Sequence, residues 1–153
     1  MKPLALLLSA VLTVRAYAPP DTTTPPPAPL TIYERAVMGT PVPARLLRAV
    51  AIVESNERDD AIGPDGHDKG RMQLRELYHT ERAELYGQDY DPHNPVHATR
   101  IAALILAGHF ARFGDWHLAL SAYNKGAGEV LKTGLAVRYL KLIDDAMEAQ
   151  RCK

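Results

Sequence analysis

The sequence predicts an all-α domain with a cleft and little or no β structure. After residue 30 the chain consists of apolar stretches at helical spacing, separated by short polar loops, and no segment has the strict alternation of a half-buried strand. The 153 residues give room for one ordinary domain, and 46% of them are hydrophobic, which is enough for a buried core. We therefore expect one compact helical domain.

The first 30 residues are predicted to lie outside that domain. A basic start and a short apolar stretch precede Ala16-Tyr17-Ala18, an A-x-A pattern typical of signal-peptidase sites. Residues 1–18 are therefore interpreted as a signal peptide that exports the protein to the periplasm or outside the cell. Cleavage after Ala16 and an uncleaved anchor are the alternatives. Residues 19–30 are half proline and are interpreted as a Pro/Thr-rich linker, so that the domain spans 31–153.

The first strong helix signal follows Pro41 and Pro43. Four positions then share one helix face at i, i+3, i+4 and i+7: Leu47, Val50, Ala51 and Glu54. Residues 56–69 are polar and rich in Gly, Pro and Asp, which predicts a loop. A second helix is predicted over residues 72–86, with Gly87 as its stop.

Further helices are predicted to the end of the chain. Asn94-Pro95 is an N-cap followed by proline at the first helical position, and residues 101–108 are apolar nearly all round, which predicts a central buried helix. Asp115 opens a helix through about Tyr123, and a short helix is predicted over 126–131. The last helix carries its apolar face at helical spacing on Val137, Leu140, Ile143 and Met147.

Glu54 is an unusual residue because it continues the apolar face of the first predicted helix. A buried, unpaired carboxylate relieves its desolvation cost by a raised pKa, and a carboxyl group that is protonated near neutrality can act as a general acid. The alternative is a hydrated carboxylate at the rim of this face, capped by Ser55 or Asn56.

Three motifs follow one another along the chain: "ES" at 54–55, "GRMQL" at 70–74 and "ALSAYNKGAGEV" at 119–130. In this order they resemble the catalytic domain of the soluble-lytic-transglycosylase (SLT) type, which is related to goose-type lysozyme. The resemblance covers residues 43–130 and implies a lysozyme-like helical fold with a glycan-binding cleft.

The resemblance also implies a reaction and a site. Glu54 would be the catalytic acid and base that cleaves the bond between N-acetylmuramic acid and N-acetylglucosamine and forms a 1,6-anhydro sugar. Ser55 would support the helix end. Four residues would bind the substrate: Met72, Gln73, Tyr123 and Asn124. For Met72 an ordinary core position is an equal alternative. The hydroxyl of Tyr123, if buried, would find its partner in Glu54.

The sequence departs from the family pattern at two places. Arg71 stands where members commonly have an apolar residue, and the loop of residues 63–70 has Gly63 where many members have serine. The other acids of this loop, Asp65 and Asp68 among them, are expected to be solvated, which leaves Glu54 as the one acid in a motif. These two departures are expected to affect the shape and polarity of the substrate groove.

Composition and motifs limit the partners. The net charge is zero, which argues against nucleic acid as a partner. His93 and His97 lack a His-Glu-x-x-His pattern, so no metal and no cofactor are predicted. Peptidoglycan strands are the expected partner, a secretion, pilus or flagellar assembly is a candidate second one, and no stable membrane insertion is expected after signal cleavage. A hydrolytic lysozyme and a non-catalytic glycan-binding or assembly protein remain as alternatives.

Overall fold

The structure, a computed structural model, describes residues 28–87 and 90–151. Predictions for residues 1–27, which hold the signal peptide and most of the linker, fall outside the described residues. The described part contains helices α1 (Ile32–Ala36), α2 (Ala44–Ser55), α3 (His79–Tyr86), α4 (Pro95–Phe113), α5 (Trp116–Lys125), α6 (Ala127–Thr133) and α7 (Val137–Ala149), with strands β1 (Asp68–Lys69) and β2 (Leu74–Arg75). The predicted all-α class is confirmed.

Helix α4 is the central helix that the sequence predicted. The Asn94 side chain accepts hydrogen bonds from the N–H groups of Val96 and His97, and Pro95 occupies the first turn, where its missing N–H costs nothing. The helix packs against α1, α5, α3 and α2. Side chains with at most 1% of their surface exposed form the core together with α4: Leu47, Val50, Met72, Ile101, Leu106 and Ile143.

Helix α1 begins with a capping box. The hydroxyl of Thr31 accepts from the N–H of Glu34, while the carboxylate of Glu34 accepts from the N–H of Thr31. This reciprocal pair satisfies donors that a helix N-terminus leaves free, so a helix of only five residues has a defined start. The buried Tyr33 and Ala36 then attach α1 to the core.

The predicted helix over 72–86 is wrong in its first half. Residues 68–75 form an antiparallel hairpin with Asp68 opposite Arg75, and a single 3₁₀ turn, Glu76–Tyr78, leads into α3. Gln73 has a left-handed backbone with φ of 45°, which no helix interior allows. Burial of Leu74 against the core stabilises the hairpin, and tertiary packing of this kind overrides the helix propensity of the segment.

Two contacts fix the hairpin relative to α2 and α4. Gly70 has φ of +68°, and a Cβ there would lie 1.9 Å from the carbonyl oxygen of Pro92, so only glycine allows the loop before α4 to come this close. The hydroxyl of Ser55 donates to the carbonyl oxygen of Arg71 at 2.9 Å. The hairpin is therefore attached to the end of α2 on one side and to the loop before α4 on the other.

None of the helices in the described part of the chain combines the length and apolar character that crossing a bilayer requires.

Candidate active site

A cavity of about 800 Å³ opens between the end of α2, the hairpin, α3 and the end of α5. It brings together four residues that the sequence singled out, namely Glu54, Gln73, Tyr123 and Asn124. A smaller cavity of about 390 Å³ between α2, α5 and α7 has a mostly apolar lining and contains none of the predicted site residues. The larger cavity is therefore the candidate active site.

Glu54 lies in the last turn of α2, where Asn56 ends the helix in the left-handed conformation. The Tyr139 hydroxyl donates to Glu54 Oε1 at 2.7 Å. Burial raises the pKa of Glu54 from 4.5 to about 7, although the Tyr139 hydrogen bond lowers it, and the negative charge of Asp68 raises it further. A substantial fraction of Glu54 is therefore protonated at neutral pH, as a general acid requires.

Tyr139 is the main site residue that the sequence did not indicate. It lies on α7, 85 residues after Glu54, and is buried there although it was not among the four residues of the predicted apolar face. Helices α2 and α7 pack directly against each other, and this brings the hydroxyl to the carboxyl group. A buried tyrosine needs a hydrogen-bond partner, but spacing along the chain does not say which.

Tyr123 lines the cavity, but its predicted partner is wrong. Its hydroxyl donates to the carbonyl oxygen of Met72 at 2.8 Å and not to Glu54. Burial raises the pKa of Tyr123 well above its ordinary value, with a further contribution from the charge of Glu54. Tyr123 is therefore a neutral side chain that ties α5 to the hairpin and presents its ring to the cavity.

Met72 belongs to the core. Its side chain has no exposed surface, which agrees with the core position given as the alternative to substrate binding. It contributes to the site only through the carbonyl oxygen that holds Tyr123. Leu74, on the same hairpin, lines the cavity with part of its surface.

Gln73 and Asn124 lie in the cavity wall, as expected from the motifs. The Gln73 amide donates to the carbonyl oxygen of Gly70 at 2.9 Å, which fixes the side chain above the left-handed backbone. Asn124 is exposed on α5, one residue after Tyr123, and its amide is open to a ligand that enters the cavity.

Ser55 and Arg71 act behind the cavity. The Ser55 hydroxyl accepts from the Arg58 N–H at 3.0 Å and donates to the Arg71 carbonyl, so it joins the helix end to the hairpin. The Arg71 guanidinium binds the Asp59 carboxylate at 2.6 Å and the Tyr33 hydroxyl at 3.2 Å. Arg71 does not line the cavity.

The described residues contain no group of three His, Cys, Asp or Glu side chains arranged to hold a metal ion.

The sequence and the fold were compared with known proteins. The family model of the transglycosylase SLT domain matches residues 33–141, which is most of the chain. The chain belongs to the transglycosylase SLT family. The motifs "ES", "GRMQL" and "ALSAYNK" that carry the resemblance all lie within the matched range.

One solved structure, the 70 kDa soluble lytic transglycosylase from Escherichia coli, aligns with this SLT domain at a TM-score of 0.59 and 21% identity. The alignment covers 76% of this chain and 21% of the Escherichia coli protein, so the chain spans only about a fifth of that protein's length. At this identity the match establishes the lysozyme-like helical fold. No curated protein matches the sequence.

Proposed function

We propose that this SLT domain is a peptidoglycan lytic transglycosylase and that Glu54 is its catalytic acid and base. The observation that carries the proposal is a single carboxyl group with a pKa of about 7, held by Tyr139 at the wall of a cavity of about 800 Å³. Family membership supplies the substrate class, and a cavity of this volume accommodates several sugar units of a glycan strand.

The reaction begins with protonation. Glu54 gives its proton to the oxygen between N-acetylmuramic acid and N-acetylglucosamine, and the C1–O bond of the muramic acid breaks. The acetamido oxygen of the same sugar bonds to C1 and takes up the developing positive charge, which is how substrate-assisted glycosidases act without a carboxylate nucleophile. Glu54 is left as a carboxylate, hydrogen-bonded by Tyr139.

The second step closes the anhydro ring. Ionised Glu54 removes the proton of the C6 hydroxyl as O6 bonds to C1, and the acetamido oxygen leaves C1. Glu54 is protonated again, and no water is consumed. The step is favoured where the C6 hydroxyl lies closer to C1 than any water does, because proximity contributes several kcal/mol. Gln73 and the Tyr123 ring, both in the cavity wall, are the groups that we assign to excluding water.

Mass spectrometry of muropeptides released from purified sacculi tests the reaction. We expect products that end in 1,6-anhydro-muramic acid, each lighter by one water than a reducing-end product, with the Glu54→Gln protein as the inactive control. A pool of reducing ends from the first minutes would show a hydrolytic lysozyme. Binding of sacculi with no release of product would show a glycan-binding or assembly protein.

We further propose that residues 1–18 direct export and that the mature protein begins between Tyr17 and Pro20. Support comes from the short apolar leader and the Ala-x-Ala pattern, and from peptidoglycan as the proposed substrate. N-terminal sequencing of protein from cell fractions decides this point, and an intact Met1 in the membrane fraction would overturn it. We propose that the enzyme acts either in general wall remodelling or in local wall opening for a secretion, pilus or flagellar assembly.

A further inference from the structure

Asp68 is a second carboxylate in the same cavity as Glu54. The sequence placed it in a solvated loop, whereas the hairpin makes it part of strand β1, with a side chain that is only 30% exposed. Its charge acts on both Glu54 and Tyr123, which lie across the cavity on α2 and α5. Asp68 therefore faces the space in which the proposed reaction takes place.

The absence of a side chain at Gly63 makes room for Asp68. A Cβ at Gly63 would lie 3.0 Å from the Asp68 Cβ and 3.5 Å from its Oδ2, and 3.0 Å from the Gln73 Oε1. The two 3.0 Å contacts are tighter than ordinary van der Waals distances. Asp68 and Gln73 thus both occupy space that a side chain at position 63 would need.

Arg75 holds the Asp68 carboxylate in place without saturating it. The two residues are directly opposite each other in the hairpin, and Arg75 Nη1 lies 3.5 and 3.4 Å from the two carboxylate oxygens of Asp68. The shorter bond of this guanidinium, at 2.9 Å, goes to Asp65. Because a carboxylate has about four acceptor positions, Asp68 can accept a hydrogen bond from a ligand in the cavity.

An ionised carboxylate can only accept hydrogen bonds, so its partner must be a donor of the substrate. In the proposed reaction one donor gains positive charge: the N–H of the acetamido group whose oxygen attacks C1. The attraction between a fixed negative charge and that N–H is stronger in the charged intermediate than in the ground state, which is the condition for accelerating a reaction.

We propose that Asp68 accepts a hydrogen bond from the acetamido N–H of the sugar whose C1–O bond breaks, orienting the acetamido oxygen toward C1. This inference rests on the proposed lytic transglycosylase function. In the first step the C1–O bond breaks and the bond from the acetamido oxygen to C1 forms, with the positive charge shared by the nitrogen. In the second step O6 replaces the acetamido oxygen. Asp68 holds the N–H in both steps and takes no proton.

The first test is kinetic and uses a matched pair of variants. Asp68→Asn removes the charge that faces the cavity. Asp65→Asn removes the other ion pair of Arg75 on the exposed side of the hairpin, where Asp65 does not line the cavity. We expect Asp68→Asn to lower kcat at least tenfold with KM changed less than threefold, and Asp65→Asn to leave both within twofold. Equal effects of the two variants would assign Asp68 to hairpin stability and overturn the proposal.

The second test measures binding without turnover. A thiazoline analogue of N-acetylglucosamine mimics the cyclised acetamido group, and its Kd can be measured on folded protein. We expect Kd to rise at least tenfold in Asp68→Asn and to be unchanged in Asp65→Asn and in Glu54→Gln. If Asp68→Asn does not fold, Asp68→Ser takes its place in both tests, with thermal unfolding as the check on folding.

The outcomes separate this proposal from the one on which it rests. A wild-type protein that releases no product from sacculi would overturn both. An active wild type, an inactive Glu54→Gln protein and an Asp68→Asn protein with wild-type kcat and wild-type affinity for the thiazoline would overturn only the role of Asp68. The pH profile gives an independent reading: because the Asp68 charge raises the pKa of Glu54, its removal should move the fall in rate at high pH to lower pH.

Discussion

Two tyrosine–glutamate pairs lie on either side of the turn that ends α2, and they have opposite electrostatic character. Tyr139 donates to Glu54 at 2.7 Å, and Tyr33 donates to Glu57 at 2.6 Å. The pKa of Glu54 is raised to about 7, whereas the pKa of Glu57 is lowered. A tyrosine hydroxyl at hydrogen-bond distance is therefore not what sets the protonation state of either glutamate.

The pKa values of the two glutamates differ because arginine side chains act on Glu57 and none is among the causes of the shift at Glu54. Desolvation raises the pKa of Glu57 too, but hydrogen bonds from the Arg48 guanidinium and from Tyr33 outweigh it, with the charges of Arg48 and Arg71 adding to them. Glu54 has no cation among the causes of its pKa shift, and the charge that contributes to the shift is the negative charge of Asp68. Burial and the charge of Asp68 favour the protonated form of Glu54. The guanidinium groups of Arg48 and Arg71 favour the ionised form of Glu57.

The backbone conformation after α2 places Glu54 and Glu57 in different surroundings. Asn56 and Glu57 both have left-handed conformations, with φ of 56° and 62°, and their N–H groups bond to the carbonyls of Ile52 and Ala51. The chain thus reverses within two residues after Ser55. Glu54 lines the cavity, and Glu57 enters a charged network on the opposite side of the turn, so one short segment supplies both the proposed catalytic acid and a structural ion pair.

The largest effect is expected from removal of the acid. Glu54→Gln keeps the shape of the side chain and loses its proton, so cleavage of sacculi should fall by about a thousandfold, which is the usual contribution of general acid–base catalysis. Glu57→Gln should remain active as the matched control. Release of soluble muropeptides measures the effect, and a Glu54→Gln protein with most of its activity would refute the catalytic assignment.

The same variant should reveal the cost of burying Glu54. Because its pKa is raised on folding, the folded protein loses stability as pH rises from 4.5 through about 7. The Glu54→Gln protein lacks this loss, so above pH 7 it should be more stable than wild type by up to roughly 3 kcal/mol, and equally stable near pH 4. Denaturant unfolding at both pH values measures the difference. Equal stabilities at high pH would contradict the raised pKa.

Tyr139→Phe tests the pair on the catalytic side. Loss of the hydroxyl removes a hydrogen bond that lowers the pKa of Glu54, so the fall in rate at high pH should move to higher pH. The less fixed carboxyl group should cost about tenfold in kcat, the equivalent of one buried hydrogen bond. Tyr33→Phe, the matched change on the other side of the turn, should leave the pH profile unaltered.

Glu57→Gln tests the structural pair. Its carboxylate is about a third exposed, with 30% of its side-chain surface accessible, so solvent screens the interaction with Arg48. We expect a loss of about 1 kcal/mol in the free energy of unfolding at pH 7. A lowered pKa gives stability above the ordinary pKa that disappears as pH falls. In thermal unfolding, the stabilities of the variant and wild type should therefore converge as pH falls below the ordinary pKa of glutamate.

The smallest effect on activity is expected from Arg71→Leu, which restores the kind of residue that family members commonly carry. Arg71 binds Asp59 and Tyr33 behind the cavity and does not line it. Cleavage rates should stay within about twofold of wild type, as for changes remote from the reacting groups. A marked loss of activity would show that the charged network around Glu57 also positions Glu54.

The sequence by itself was sufficient to predict the helical class and most helix positions, and to single out Glu54 as an acid on an apolar helix face. These features are local: helical spacing fixes the face of α2, the Asn94-Pro95 pair starts α4, and an acid on an apolar face stands out without any tertiary information. The order of the three motifs also indicated the family that the comparison established.

Three features depend on the tertiary structure: the hairpin, the hydrogen-bond partners of Tyr123 and Tyr139, and the position of Asp68 in the cavity. Residues 72–75 carry no strand signal, and only the burial of Met72 and Leu74 with the left-handed Gln73 makes a hairpin there. Tyr139 reaches Glu54 across 85 residues because α7 packs on α2. Hydrogen bonds and charges between elements depend on distances that chain spacing does not encode, which is why the acid was visible in the sequence and its surroundings were not.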